Sequence, residues 1–300
     1  MNEVKNVFSI KDLENISGIK AHTIRIWEKR YEILAPLRSD TNIRYYDIHN
    51  LQKLLNITLL HNYGYKISRI SKLKEEQIPE IVREIITEKS VKSHAISAFK
   101  MAMMNFDQVL FINTYDQLLT EKSFKEIYFD VFIPLMNEIG LLWQSNTISA
   151  AHEHFLSYLF KQKILLNTEK LQHQQPTNTD QVFVLYLPEN EIHELGLMYL
   201  NYELLSLGYK TIYLGENVPL YNLKDVIKYF DRITYVCYST VQPDKDNIDK
   251  YAEAVNKEIL NNTENEHWFV GRMVESINTD KLDYNTKVFS NIKELSTYLQ

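Results

Sequence analysis

The chain has 300 residues, enough for two or three domains, and an apolar fraction of 45% that suits a globular protein. One cysteine, Cys237, excludes a disulfide framework and a cysteine-based zinc site. The net charge of −6 speaks against nucleic acid for the chain as a whole, but the charge is uneven. Residues 1–74 hold 13 Lys/Arg against 7 Asp/Glu, while the remainder holds 20 against 32. That asymmetry predicts a basic nucleic-acid module joined to acidic ones. The sequence has no apolar run of the roughly 18 residues that a membrane span needs. The opening Met1-Asn2-Glu3-Val4-Lys5-Asn6 lacks a signal-peptide pattern, so a cytoplasmic protein with no membrane attachment is expected.

In the first segment Ser9 predicts a helix start, with Asp12 three residues on to complete a capping box. Ile10, Leu13 and Ile16 point inward, and the helix stops at Ser17-Gly18. A second helix covers Ala21–Tyr31, with Ile24 and Trp27 inward and Thr23, Arg25 and Lys29 outward. Two short helices joined by a glycine-containing turn predict a helix-turn-helix. Leu34–Tyr46 predicts a β-hairpin wing turning at Ser39–Asn42. A third helix follows Asp47, with Ile48, Leu51, Leu54, Leu55 and Leu59 on one face, and a fourth spans about Ile67 to Leu73. Trp27 falls on the apolar side and reads as core. Arg25, Arg30, Arg38 and Arg44 are poor core residues and read as DNA contacts. Thr23, Lys29, Tyr31 and Tyr45 are further donors for phosphates or base edges.

This segment resembles the MerR-type winged helix-turn-helix on Thr23-Ile24-Arg25-Ile26-Trp27-Glu28-Lys29-Arg30-Tyr31 and Arg44-Tyr45-Tyr46-Asp47. In that family the second helix enters the major groove and the wing grips the backbone. The resemblance therefore implies a double-stranded DNA operator as partner.

Residues 75–92 are charged and predict a linker. From about Ser93 to Leu171 the apolar spacing is helical throughout, and four such stretches with short connections predict a four-helix bundle. The chain bends between Gly140 and Ser149, which can cap the last helix. That bend brings Trp143, Glu153 and His154 to one bundle end. By themselves they read as a packing tryptophan and a surface Glu-His pair.

Gln172–Asp180 is polar, contains Pro176 and predicts a second linker. Val182–Leu187 predicts a buried strand, followed by a loop, a helix to Gly208 and a strand at 210–214. That order opens a doubly wound, Rossmann-like domain, whose ligands sit outside the carboxyl ends of the strands. Further strands are expected at 233–238, 267–271 and 286–289, and helices at 194–207, 221–230, 245–260 and 291–299. The loop Glu191-Ile192-His193-Glu194-Leu195-Gly196 lies where such a domain binds ligands. Imidazole is a common metal ligand, a carboxylate two residues away can hold its other nitrogen, and Gly196 allows close backbone approach.

The order of modules, with Trp143-x₉-Glu153-His154 in the bundle and Glu191-x-His193-x-x-Gly196 beyond, resembles the cobalamin-binding photoreceptor-type repressors of the MerR class. The resemblance assigns residues 1–75 to DNA reading, 76–171 to a bundle capping the corrin, and 180–300 to a doubly wound cobalamin-binding domain. It implies cobalamin, adenosylcobalamin foremost, with His193 as lower cobalt ligand and Glu191 beside it. It places Trp143, Glu153 and His154 at the upper face. Ser239-Thr240-Val241 and Gly271 match the family's further cofactor-binding positions. Gln144 stands where the light sensors carry histidine, and Arg272 stands where a second glycine is usual.

The function expected is a repressor, a homo-oligomer (dimer or tetramer), responding to cobalamin and light. One alternative is a cobalamin-independent regulator whose C-terminal domains oligomerise or bind an antirepressor protein. Another is a corrinoid methyl carrier. Independent catalysis is not expected, because no paired carboxylates, nucleophile triad or phosphate loop stands out.

Overall fold

The computed structural model describes residues 7–38, 42–62, 64–74, 77–78, 81, 88–144, 147–261 and 263–299. The chain divides into two compact units, Met1–Leu159 and Phe160–Gln300.

The first unit opens with α1 (Ile10–Ser17), whose capping box forms as the spacing predicts: Ser9 accepts from the Asp12 N–H and Asp12 accepts from the Ser9 N–H. α2 (Ala21–Tyr31) buries Ile24, Trp27 and Glu28. Trp27 is core, with its ring edge-on to His61 at 5.3 Å. The wing is reduced to β1 (Leu37–Arg38) against antiparallel β2 (Arg44–Tyr45). Its predicted turn residues 39–41 lie outside the described residues. Next to β2, Tyr46 exchanges both backbone hydrogen bonds with Phe8, each 2.8 Å, so the start of the chain extends the hairpin. α3 (Ile48–Asn62) runs as expected, but the fourth helix is the single turn α4 (Ile67–Ile70).

The Tyr46 hydroxyl donates to the buried carboxylate of Glu28. Burial and that carboxylate together hold the phenol in its neutral, donating form. This contact locks α2 to the base of the wing. Tyr46→Phe leaves Glu28 without that donor and is expected to cost about 1–3 kcal/mol. Denaturant titration would check this, since an unchanged midpoint contradicts it.

The bundle consists of α5 (Glu88–Asn105), α6 (Gln108–Leu119), α7 (Phe124–Ile127), α8 (Ile133–Gln144) and the first half of α9 (Ala150–Gln172). A π-helical turn at Tyr128–Phe132 joins α7 to α8. The predicted linker 75–92 overlaps α5 from Glu88 onward; most of its other residues lie outside the described ones. Within this unit α1 is tied to the bundle by polar contacts. Lys100 donates to the Ile16 carbonyl at 3.2 Å and pairs with Glu138, and Asn15 donates to Thr147 at 3.0 Å.

The second unit carries a five-stranded parallel sheet in the order β4-β3-β5-β6-β7. The strands are β3 (Asn178–Pro188), β4 (Tyr209–Val218), β5 (Ile233–Tyr238), β6 (Glu266–Val270) and β7 (Thr286–Phe289). The order reverses between β3 and β5, which is the topological switch point of a doubly wound sheet. Covering helices are α10 (Leu195–Ser206), α11 (Lys224–Ile227), α12 (Ile248–Val255) and α13 (Ile292–Tyr298). Among the described residues no helix is long and apolar enough to cross a membrane.

Several boundaries differ from the sequence reading, and two of the differences have a visible cause. β3 starts at Asn178, inside the predicted linker, because Thr177 and Asn178 both donate to the Gly208 carbonyl. The expected helix 221–230 shrinks to a 3₁₀ turn at Leu220–Leu223 and the one-turn α11. There the Tyr235 hydroxyl donates to the Leu223 carbonyl at 3.1 Å, an acceptor that a continuous helix would use for its own ladder.

Candidate functional site

Glu191 and His193 leave the carboxyl end of β3, and residues 239–243 leave the carboxyl end of β5, so the two loops meet at the switch point. The Glu191 carboxylate is fully buried and is the hub of both loops. Its Oε2 accepts from the backbone N–H groups of Thr240 (3.0 Å), Val241 (2.6 Å) and Gln242 (2.9 Å). Its Oε1 accepts from the N–H groups of Ile192 and His193, both 3.0 Å, and from His193 Nδ1 at 2.6 Å. Burial pushes this carboxyl up, but the hydrogen bonds from the His193 ring and from the backbone of Gln242, Val241 and His193 outweigh it. The carboxyl is held well below the ordinary glutamate range.

An ionised carboxylate on Nδ1 fixes the His193 tautomer, so the neutral ring carries its lone pair on Nε2. The imidazole is half-exposed at 54% of its side-chain surface, so the ring reaches the surface while its orienting partner is locked inside. This donor chemistry would suit a transition metal that needs a single imidazole from the protein. Among the described residues no group of three or more His, Cys, Asp or Glu could hold a metal ion by themselves.

The two glycines of the motif differ. Gly271 has φ +115°, and a Cβ there would lie 2.5 Å from the Ser239 carbonyl oxygen, so backbone closes that position to any side chain. A Cβ on Gly196 would lie 2.2 Å from Cζ of Tyr238, whose phenol ring packs over the start of α10. The close approach that Gly196 permits is thus made here by the chain's own aromatic ring. A bulky group lying over Gly196 needs that ring to turn aside. Ser239 is buried and donates to the Gln242 carbonyl at 2.6 Å, shaping the loop that feeds Glu191. Arg272 is exposed in the 3₁₀ turn Arg272–Ser276.

Sequence reasoning missed Tyr238 and the amides of Thr240, Val241 and Gln242. It also missed Glu194, which pairs with Lys161 and accepts from the Tyr213 hydroxyl at 3.2 Å. The carboxylate at position 191 was a usable signal, since a buried acid at a strand end requires donors from the neighbouring strand's loop.

In the bundle, the bend after α8 closes on itself through the Thr147 N–H to Leu142 carbonyl bond at 2.9 Å, which brings Trp143 and the start of α9 to the same end. Trp143 is 55% exposed and so is not the packing residue that its type suggested. Glu153 Oε2 lies 3.3 Å from His154 Nε2, and its Oε1 accepts from Ser157 at 2.5 Å. Ser149 meets His152 Nδ1 at 2.9 Å. The side chain of Gln144 lies outside the described residues.

On the winged helix-turn-helix segment Arg25, Lys29, Arg30, Arg38 and Arg44 are exposed, while Thr23, Tyr31 and Tyr45 are half-buried. The Arg30 guanidinium lies over the Tyr31 ring at 5.4 Å, and Arg38 donates to Asn42 at 2.6 Å. Every cation picked from the sequence therefore stands where solvent, or a phosphate, can reach it.

Comparison with known proteins matches residues 8–77 to the MerR HTH family regulatory protein and residues 95–166, in the bundle, to the B12 binding domain. The chain is 25% identical over 225 residues to the HTH-type transcriptional repressor CarH of Myxococcus xanthus, covering 73% of this chain and 74% of that protein. It is 27% identical over 215 residues to the HTH-type transcriptional repressor CarA of the same organism, covering 70% and 68%. In fold it is similar to the Methanosarcina barkeri monomethylamine corrinoid protein, with a TM-score of 0.58 at 14% identity, over 71% of this chain and 98% of that one. Residues 8–77 thus match a MerR-type helix-turn-helix and residues 95–166 a B12-binding bundle, and the doubly wound unit that follows carries an oriented imidazole at its switch point.

Proposed function

We propose that the chain is a cytoplasmic, non-enzymatic repressor whose hold on its operator is set by adenosylcobalamin. His193 is its lower cobalt ligand, and Glu191, Gly196, Ser239, Gly271, Trp143, Glu153 and His154 are its further cofactor-binding residues. The observation that carries this reading is the 2.6 Å contact between His193 Nδ1 and a buried, multiply hydrogen-bonded carboxylate. A single oriented imidazole suits a metal whose equatorial positions are filled by a macrocycle. When bound, the corrin would supply a cobalt centre with an exchangeable, light-sensitive substituent. His193, oriented by Glu191, would hold the metal, and the fold would convert occupancy into an assembly state. Cobalamin favours a dimer or tetramer with paired readers, and a paired reader calls for a two-fold-related operator.

A second reading is favoured by Tyr238. With its ring over Gly196, the module serves as an oligomerisation or antirepressor-binding surface without cobalamin.

The test is a visible spectrum of the full chain incubated with adenosylcobalamin in the dark, desalted, then illuminated. Retained corrin bands support the first reading, and bands that change on illumination add light as an input. Loss of all corrin on desalting sinks the first reading in favour of the second.

DNA contact is tested separately with Arg25→Ala. Loss of one phosphate contact lowers the slope of log K against log salt by about 0.9 and leaves the oligomeric state alone. An altered oligomer in gel filtration would show that Arg25 faces a protomer and not the duplex.

A further inference from the structure

α2 presents an exposed face built from His22, Arg25, Ile26, Lys29 and Arg30. At about 100° per residue these five side chains fall in one arc, and Ile26 lies inside it, one turn from both His22 and Arg30. Four of the five can carry charge or donate hydrogen bonds. Ile26 can do neither, yet it is 52% exposed. The opposite face cannot take it up. Ile24, Trp27 and Glu28 fill that side, and Trp27 on His61 and Glu28 on Tyr46 fix the rotation of the helix. An apolar side chain is therefore held outward in the middle of the surface read here as meeting DNA.

Resting on that DNA-binding reading, we propose that Ile26 is a specificity residue that recognises the 5-methyl group of a thymine in the major groove. The cations around it satisfy phosphates and purine edges. The thymine methyl is the apolar feature that the major-groove edge of a base pair offers, and no other base carries it. Ile is β-branched and holds one preferred rotamer in a helix, so its methyl groups are pre-positioned with little entropy left to lose. Covering an exposed isoleucine with a methyl removes apolar surface from water on both partners, whereas pairing it with a cytosine or guanine edge desolvates polar atoms without return.

The experiment uses the full chain, with and without adenosylcobalamin, to enrich binding sites from a randomised duplex pool. Each thymine of the enriched site is then replaced by uracil, which removes only the methyl. The expected result is one position per half-site at which the change weakens binding by about fourfold, the equivalent of one buried carbon. Ile26→Ala is expected to bind the thymine and uracil duplexes alike, with its salt dependence unchanged because no phosphate contact is lost. Ile26→Val, which keeps the branched methyls, is expected to retain the discrimination. Indifference of the wild type to every thymine-to-uracil change overturns the proposal, as does discrimination that survives in Ile26→Ala. Failure of the pool to enrich in either state overturns the DNA-binding reading itself, a distinguishable result.

Discussion

His193→Ala is expected to lose adenosylcobalamin during desalting while remaining folded and able to bind duplex DNA. The magnitude follows from what the imidazole supplies. Changes to a residue that merely orients a metal ligand cost about 10- to 100-fold in affinity, so removing the ligand itself is expected to cost at least about 100-fold. The fold survives for a local reason. The ring is half-exposed, so its removal opens no internal cavity. The Glu191 carboxylate also keeps its backbone donors from Ile192, residue 193, Thr240, Val241 and Gln242. The two readouts are the corrin absorbance retained after desalting and the midpoint of thermal unfolding. Unchanged corrin affinity would remove His193 from the lower-ligand role. A collapsed midpoint would mean that the histidine is a structural part of the loop.

Much of this architecture is legible in the sequence because it is local. The Ser9–Asp12 box, the inward Ile24 and Trp27 of α2, the helical spacing of the bundle and the buried run Val182–Leu187 each follow from residues a few positions apart. That the second unit is a doubly wound sheet could be anticipated from the alternation of strands and helices. What a one-dimensional reading could not reach depends on which strands become neighbours. Glu191 finds its amides 49 to 51 positions later, and that happens only because β5 pairs with β3. Tyr238 ends β5 on the face that α10 covers, so its ring meets Gly196, 42 positions earlier in the chain. Trp143 misled for the opposite reason: its type suggests burial, but its place at the end of α8 leaves it exposed. Arg272, which stands where a second glycine is usual, is exposed after the chain turns at Gly271.

Glu191→Ala is expected to be the most destabilising single change at this site. The carboxylate gathers backbone N–H groups from two loops and one imidazole, and removing it strands those donors at the carboxyl ends of β3 and β5. Breaking one partner out of a buried charged network costs about 3–5 kcal/mol, against a small effect for His193→Ala. Glu191→Gln is not expected to rescue it, because an amide NH₂ would point a donor at donors. The pH dependence gives an independent handle. The folded-state pKa of Glu191 is depressed below its ordinary value of 4.5. The stability that the group contributes is therefore fully present above that value and drains away as the pH falls further. Wild-type unfolding free energy should decline from about pH 5 downward with a component that Glu191→Ala lacks, so the two stability curves converge in acid. Parallel curves across that range would show that Glu191 does not enter the acid transition. Corrin retention by Glu191→Ala should fall too, because the same carboxylate that closes the loops also sets which nitrogen of His193 carries the proton.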